Sequence, residues 1–402
     1  MDATNLHSLV VVLAMAALAP IIADLLKGRL AVPTVVLELV LGILVGPTVF
    51  GWVKDSNALT GLSDLGLALL MFLAGYEIDF QRIRGAPITL AVRSWLVTLL
   101  AGFAVAAIVS LITGNLGPHS VALGLVLTTT AVGTLLPILR DRGELETAFG
   151  PYVFASGAVG EFGPIVGISI FLATDRPLHS TVVLVVYVLV AVATVGLALR
   201  SRTPRVVRVI GETLSTSAQF GVRVACLLCV LLVWIATAFD LDYLLGAFTG
   251  GMILRLFLSL SPASEVEILE SKLEAVGFGF LIPVFFVMSG VRLDLDALFD
   301  QPLYLLLLPV ALMLYLVVRG GPIRWLYRGK LAARDVKALA VYSSTALPLV
   351  VVITGIGVTD DLMQPALASV LVTAAMLSVL ILPFWANQLR GSSRATETVE
   401  GS

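Results

Sequence analysis

The chain has 402 residues, 58% of them hydrophobic and 13% charged, against roughly 45–50% and 25% in soluble proteins. Its apolar residues fall in blocks of about 20, which excludes a string of soluble domains and indicates a polytopic helical membrane protein. The net charge of −2 identifies no partner, no basic face points to nucleic acid, and no Ser/His/Asp set, metal motif or Gly-rich phosphate loop points to an enzyme.

Thirteen membrane segments are predicted, at 7–25, 30–50, 59–78, 86–113, 119–139, 148–174, 180–199, 217–238, 241–259, 274–293, 302–322, 336–357 and 363–389. The opening Met1-Asp-Ala-Thr-Asn lacks the basic region of a secretory signal, so the first segment is expected to be retained. Gly, Pro, Asn and Asp mark most joints. Counted through these segments, Lys27, Arg29, Arg82, Arg84, Arg140 and Arg142 fall on one side. The Arg200–Arg208 and Arg324–Lys337 runs fall there too, against only Lys54, Arg176 and Arg292 opposite. By the positive-inside rule the N-terminus is outside and the C-terminus cytoplasmic. Residues 203–217 read as a basic amphipathic linker on the cytoplasmic surface, and 391–402 as a short tail.

The third segment carries Met71-Phe-Leu-Ala-Gly75-Tyr-Glu77-Ile-Asp79, and the tenth carries Phe286-Val-Met-Ser-Gly290-Val-Arg292-Leu-Asp294, 215 residues later. The same offset lays Thr128-Thr129-Thr130-Ala131 in the fifth segment on Ser343-Ser344-Thr345-Ala346 in the twelfth. Paired segments stand seven apart, an odd number, so the copies have opposite topology. Inverted repeats of this kind build many secondary transporters.

The sixth segment holds Ser156-Gly-Ala-Val-Gly-Glu161-Phe-Gly-Pro164, where Glu161 is the only charged residue of the apolar run 151–174. A charge at membrane depth costs roughly 3 kcal/mol on insertion scales, and such groups mark proton and ion routes. Segments five and twelve are polar at mid-length, with Pro137 after Thr134 and Pro348 after Leu347. Proline removes a backbone donor, and Ser and Thr satisfy the carbonyls it frees, so both helices are expected to break near the bilayer centre. Thr129, Thr130, Ser344 and Thr345 then offer oxygens for a cation beside Glu161, with Ser156 as an accessory. Met376 stands opposite Glu161 in the repeat, so the site holds one carboxylate. Arg319 in segment eleven either snorkels to the cytoplasmic face or turns inward as the counter-charge of Glu161. Arg93 and Arg223 are lesser partners, and Arg255 reads as a snorkelling residue. Glu38 lines an aqueous funnel or contacts the other half. Cys226 and Cys229 read as small apolar residues, because no further Cys or neighbouring His completes a metal set.

These stretches resemble the monovalent cation:proton antiporter superfamily, in the branch of sodium/proton exchangers and potassium-efflux antiporters. The resemblance rests on Pro33 to Glu38 and Leu41-Gly-Ile-Leu-Val-Gly46-Pro47, Phe72 to Asp79, Thr130-Ala131 with Pro137 to Asp141, and Gly246-Ala-Phe248 with Gly250-Gly251. Phe285-Phe286 with Gly290, Arg319 and Ser344-Thr345-Ala346 complete it. It implies an all-α fold of about 13 helices with two broken crossing helices, and a core moving like an elevator against a dimer-forming scaffold. The scaffold is expected at about 1–85 and 217–300 and the core at about 86–174 and 301–390, within a single membrane transport domain spanning 1–402. Glu161 falls where the family carries its ion-binding aspartate, and Arg319 where it has a basic residue. The chain departs from the pattern in having Glu for Asp and Gly160 where the family has Asn, Asp or Gln.

The expected function is exchange of a monovalent cation for protons at Glu161 by alternating access, with Na⁺ favoured over K⁺ and Li⁺. The exchange is expected to be electroneutral, without a cofactor, and in a plasma-membrane homodimer. A sodium-coupled symporter of a small organic anion, or a cation channel, are the alternative classes.

Overall fold

The computed structural model describes residues 3–26, 32–78, 83–113, 119–131, 143–172, 219–258, 263–293 and 302–390, with the single positions 133, 135, 139 and 185. Every predicted segment except 180–199 contains a helix, and 180–199 apart from position 185, the linker 203–217 and the tail 391–402 lie outside the described residues. Among the described residues nine helices are long and apolar enough to cross a membrane, and two shorter apolar ones accompany them.

The chain divides into two compact units. One comprises Met1–Leu30, Leu37–Asp79 and Ile165–Leu293. Its helices are α1 (Ala3–Leu26), α2 (Thr34–Val45), α3 (Asn57–Tyr76), α7 (Phe220–Ala238), α8 (Tyr243–Leu258), α9 (Ala263–Val276) and α10 (Ile282–Val291). Close backbone contact holds them together: a Cβ on Gly251 of α8 would strike Phe72 O of α3, one on Gly75 would strike Phe248 O, and one on Gly42 of α2 would strike Val287 O of α10. Without a hydrophobic force between helices in lipid, small residues that let backbones touch supply the packing. Segment 274–293 begins earlier than predicted. The polar α9 runs into a π-helical turn, Gly277–Leu281, and on into α10 without a break, because Glu267, Glu270 and Lys272 occupy its half-exposed side.

Charged side chains in this unit meet partners of opposite charge. Arg292 donates from Nε to Asp55 Oδ2 at 2.9 Å and from Nη2 to Thr60 Oγ1 at 2.7 Å. Partial burial pushes the Asp55 carboxyl up, but the Arg292 bonds and charge, the Thr60 hydroxyl and the Ser56 N–H outweigh it and hold the carboxyl below its usual range. Arg255 stands at the end of α8, partly exposed. Its guanidinium lies over the Tyr76 ring, 5.4 Å from the centroid, and 4.0 Å from Glu270, because α3 and α9 offer it an aromatic face and a carboxylate. Cys226 and Cys229 are free thiols on α7.

The second unit comprises Ala31–Val36, Phe80–Pro164 and Asp294–Ser402. Its helices are α4 (Ala86–Thr113), α5 (His119–Val126), α6 (Gly150–Gly167), α11 (Pro302–Leu314), α12 (Gly321–Leu326), α13 (Ala333–Ser343), α14 (Pro348–Thr359) and α15 (Pro365–Arg390). A wide π-helical turn, Tyr315–Gly320, joins α11 to α12. Its apolar core gathers Phe149, Val153, Ile323, Leu339, Tyr342 and Leu382. At one end of the unit Arg390 pairs with Glu144, reaches Asp335 Oδ1 at 3.3 Å and covers the Phe149 ring at 4.1 Å. These charges are nearly buried and lie on three separate stretches of chain, so they fasten the end of α15 to the start of α13 and to the turn before α6.

Candidate functional site

Helix α5 stops at Val126 and the chain turns, then extends, through Thr128–Ala131. The freed carbonyls are met by side chains: Thr128 Oγ1 donates to Leu125 O at 2.8 Å and Thr129 Oγ1 to Val126 O at 2.9 Å. In the second half α13 stops at Ser343, the chain crosses Ser344–Leu347 without helix, and α14 restarts with Pro348 in its first turn. Proline suits that place because the first N–H of a helix has no partner within it. Ser378 of α15 completes this break, since its hydroxyl donates to Ala346 O and accepts from Ala346 N–H, both at 3.0 Å. Both breaks lie where the paired polar stretches predict them. Pro137 lies outside the described residues.

The two breaks are bonded to each other. Ala131 N–H donates to Thr345 O at 2.7 Å, and Thr130 Oγ1 donates to Ser343 O at 2.7 Å. Helix α6 passes alongside: Thr130 N–H donates to Gly160 O at 3.0 Å, and the Ser156 and Ser343 hydroxyls share a bond of 2.9 Å. The residue after Gly160 is Glu161. It is 5% exposed, and Gly133 N–H points at its Oε1 from 3.5 Å.

Arg319 lies in the π-helical turn Tyr315–Gly320 and is fully buried. Its Nε donates to Thr130 Oγ1 at 2.8 Å, and its Nη2 donates to Ser156 O at 2.8 Å and to Ser156 Oγ at 3.3 Å. The snorkelling alternative therefore gives way to an inward side chain, held by the first break and by α6. Its Nη1 is buried and meets no hydrogen-bond partner among the described residues.

The candidate residues do not stand alike. Thr130, Ser156 and Arg319 form one bonded group on the Gly160 side of α6. The hydroxyls of Thr129 and Ser344 are committed to helix ends, Ser344 Oγ donating to Ala340 O at 2.8 Å. Thr345 is completely buried, and among the described residues its Oγ1 meets no hydrogen-bond partner. Arg93 and Arg223 are exposed. Glu38 is buried on α2 within the other unit. Two contributors, Ser378 and Gly133, carry no signal of their own in the sequence, because a lone Ser or Gly in an apolar run is ordinary helix packing. Among the described residues no three His, Cys, Asp or Glu stand together as metal ligands. The site thus sets one carboxylate, one guanidinium and hydroxyl oxygens where two interrupted helices meet.

Comparison with known proteins agrees with this architecture. The structure matches that of the sodium proton antiporter MjNhaP1 from Methanocaldococcus jannaschii at pH 8 with a TM-score of 0.69 and 17% identity, covering 96% of this chain and 98% of that one. Among sequences, the Na(+)/H(+)-K(+) antiporter GerN of Bacillus cereus is 25% identical, over 89% of this chain and 90% of its own. The antiporter-family protein YjbQ of Bacillus subtilis (strain 168) is 27% identical over 94% of this chain, which spans only 62% of that protein's length. A Na(+)/H(+) antiporter of Enterococcus hirae is 22% identical over 92% of this chain and 95% of its own. The transmembrane sodium/hydrogen exchanger model matches residues 13–389. The chain belongs to the sodium/hydrogen exchanger family, a family of membrane transporters.

Proposed function

We propose that this protein exchanges a monovalent cation for protons at Glu161 by alternating access, with Na⁺ favoured and K⁺ or Li⁺ as competitors. One observation carries the reading: the only charged side chain of α6 is buried beside the place where two helix breaks bond to each other. A buried carboxylate needs a compensating charge. A proton or a metal ion can each supply it, and one carboxylate holds only one of them at a time. Thr345 Oγ1 and the hydroxyls around Thr130 are the protein oxygens proposed to replace part of the ion's water shell, with Ser344 as an accessory.

Charge bookkeeping at the site bears on stoichiometry. Ionised Glu161 and Arg319 sum to zero, and loading either a proton or a monovalent cation brings the sum to +1. The two loaded forms carry equal charge in opposite directions, which gives electroneutral one-for-one exchange. Arg319 serves as the standing counter-charge of the empty site.

We assign the moving core to about 86–174 and 301–390 and the scaffold to about 1–85 and 217–300 of a homodimer. The assignment follows the sites of the breaks and of Glu161, and the N-terminus is assigned outside from the Lys and Arg asymmetry. The test is proton flux in liposomes holding purified protein, with Na⁺, K⁺ and Li⁺ presented in turn. Wild-type protein should move protons when the favoured cation is added, and Glu161→Gln should insert and fold yet move none. Exchange retained in Glu161→Gln would refute the site, and a rate that follows an imposed voltage would refute one-for-one exchange.

A further inference from the structure

The charge lying along the α6 face that precedes Glu161 is decided at position 160. We infer that this residue is glycine because the Arg319 guanidinium occupies the space its side chain would take. The face of α6 one residue before the acid thereby carries a fixed positive charge from the turn after α11, in place of a side chain of its own. A Cβ built on Gly160 would lie 2.8 Å from Arg319 Nη2, 2.5 Å from Thr130 Oγ1 and 2.7 Å from Thr130 Cβ. Side-chain carbons do not approach their neighbours that closely, so Thr130 and Arg319 must both give way.

The guanidinium is not free to do so cheaply. Its Nη2 is spent on Ser156 O and Oγ, and its Nε on Thr130 Oγ1. Thr130 is itself pinned by its N–H to Gly160 O and by its hydroxyl to Ser343 O. Ser156 and Gly160 are four residues apart, hence neighbours on one face of α6. Arg319 therefore lies along that face, anchored at Ser156 and fitted over the bare backbone of Gly160, one residue before the carboxylate. A methyl group there displaces the guanidinium from its seat, and with it the charge that balances the empty site. Gly160 is a positioning residue: it acts on Glu161 only through where it lets Arg319 sit.

The inference rests on exchange at Glu161, and its test separates the two ideas. Wild type, Gly160→Ala, Arg319→Lys and the double variant are purified, and each is measured for melting temperature in detergent and for cation KM and kcat in liposomes. Lysine keeps the charge but lacks Nη2, so it relieves the Arg319 part of the overlap with a methyl at 160 and leaves the Thr130 part. Gly160→Ala should raise the cation KM more than it lowers kcat, and its penalty should be much smaller in the Arg319→Lys background. For two groups in contact, the expected coupling amounts to roughly threefold to tenfold or more in KM. Equal penalties in both backgrounds would overturn the inference, because they would mean that glycine serves only the approach of Thr130. If Gly160→Ala fails to fold, folding of the double variant supports the inference and its failure to fold overturns it. Wild-type protein that exchanges no monovalent cation would sink the proposed function, while the coupling between positions 160 and 319 would still be readable in the melting temperatures.

Discussion

Thr130 shows how much can rest on one hydroxyl. Its Oγ1 accepts from Arg319 Nε and donates to Ser343 O, so a single oxygen links the guanidinium to the second break. Thr130→Val keeps the shape and removes both bonds, leaving a buried charged donor and a buried carbonyl unmet. Such losses cost about 1–3 kcal/mol each. The variant should melt at clearly lower temperature in detergent than wild type, and an unchanged melting curve would show that these bonds contribute nothing. At this scale the sequence speaks where a residue is out of place: Glu161 and Arg319 are conspicuous because ionisable groups are expensive among apolar neighbours. It is silent on Ser378, on Gly133 and on which hydroxyls are already spent. Thr129, Thr130, Ser344 and Thr345 look alike as letters, and only coordinates separate those that finish helix ends from Thr345, whose Oγ1 meets no hydrogen-bond partner among the described residues.

Helices divide in the same way between what their letters announce and what packing decides. Helix α4 spans the residues its apolar run predicts, and the two interruptions occur where Thr and Ser cluster ahead of proline, because both effects are local. The start of α9 is not local. A charged amphipathic stretch reads as a connection, yet it extends the following helix when one side of it is covered. The π-helical turns at Ile168–Leu172, Gly277–Leu281 and Tyr315–Gly320 have no signature in the sequence either, since their wider winding is set by neighbouring helices. Helix pairing rests on glycines that the sequence offers only as parts of family motifs, with no sign of which backbone each one meets. Gly251→Ala would force a methyl into Phe72 O and to within 2.6 Å of Tyr76 N, both backbone atoms of α3. Overpacking of this kind costs roughly 1–3 kcal/mol or more. Gly251→Ala should therefore give less folded protein and a lower melting temperature, whereas Gly61→Ala, where a Cβ meets nothing within 4 Å, should resemble wild type.

For the molecule as a whole, membrane class and transporter family were legible from composition, the 215-residue offset and the order of weak motifs. A division into core and scaffold enters the sequence reading only through the family resemblance, because residue patterns alone do not say which faces meet. The cluster of Arg390, Glu144 and Asp335 has a bearing on that division. Stepping 215 residues from Glu144 and from Asp335 leads to Thr359 and Ser120, which carry no charge. The two halves thus repeat the breaks but not this knot, and among the described residues the unit carries such an ion cluster at one end. Amide deuterium uptake should accordingly begin at the Ser120 end of α5 and the Thr359 end of α14. The stretch from Glu144 to Phe149 and the first turns of α13 should take up label later. Fraying in the reverse order would mean that the ionic rivet carries no mechanical load.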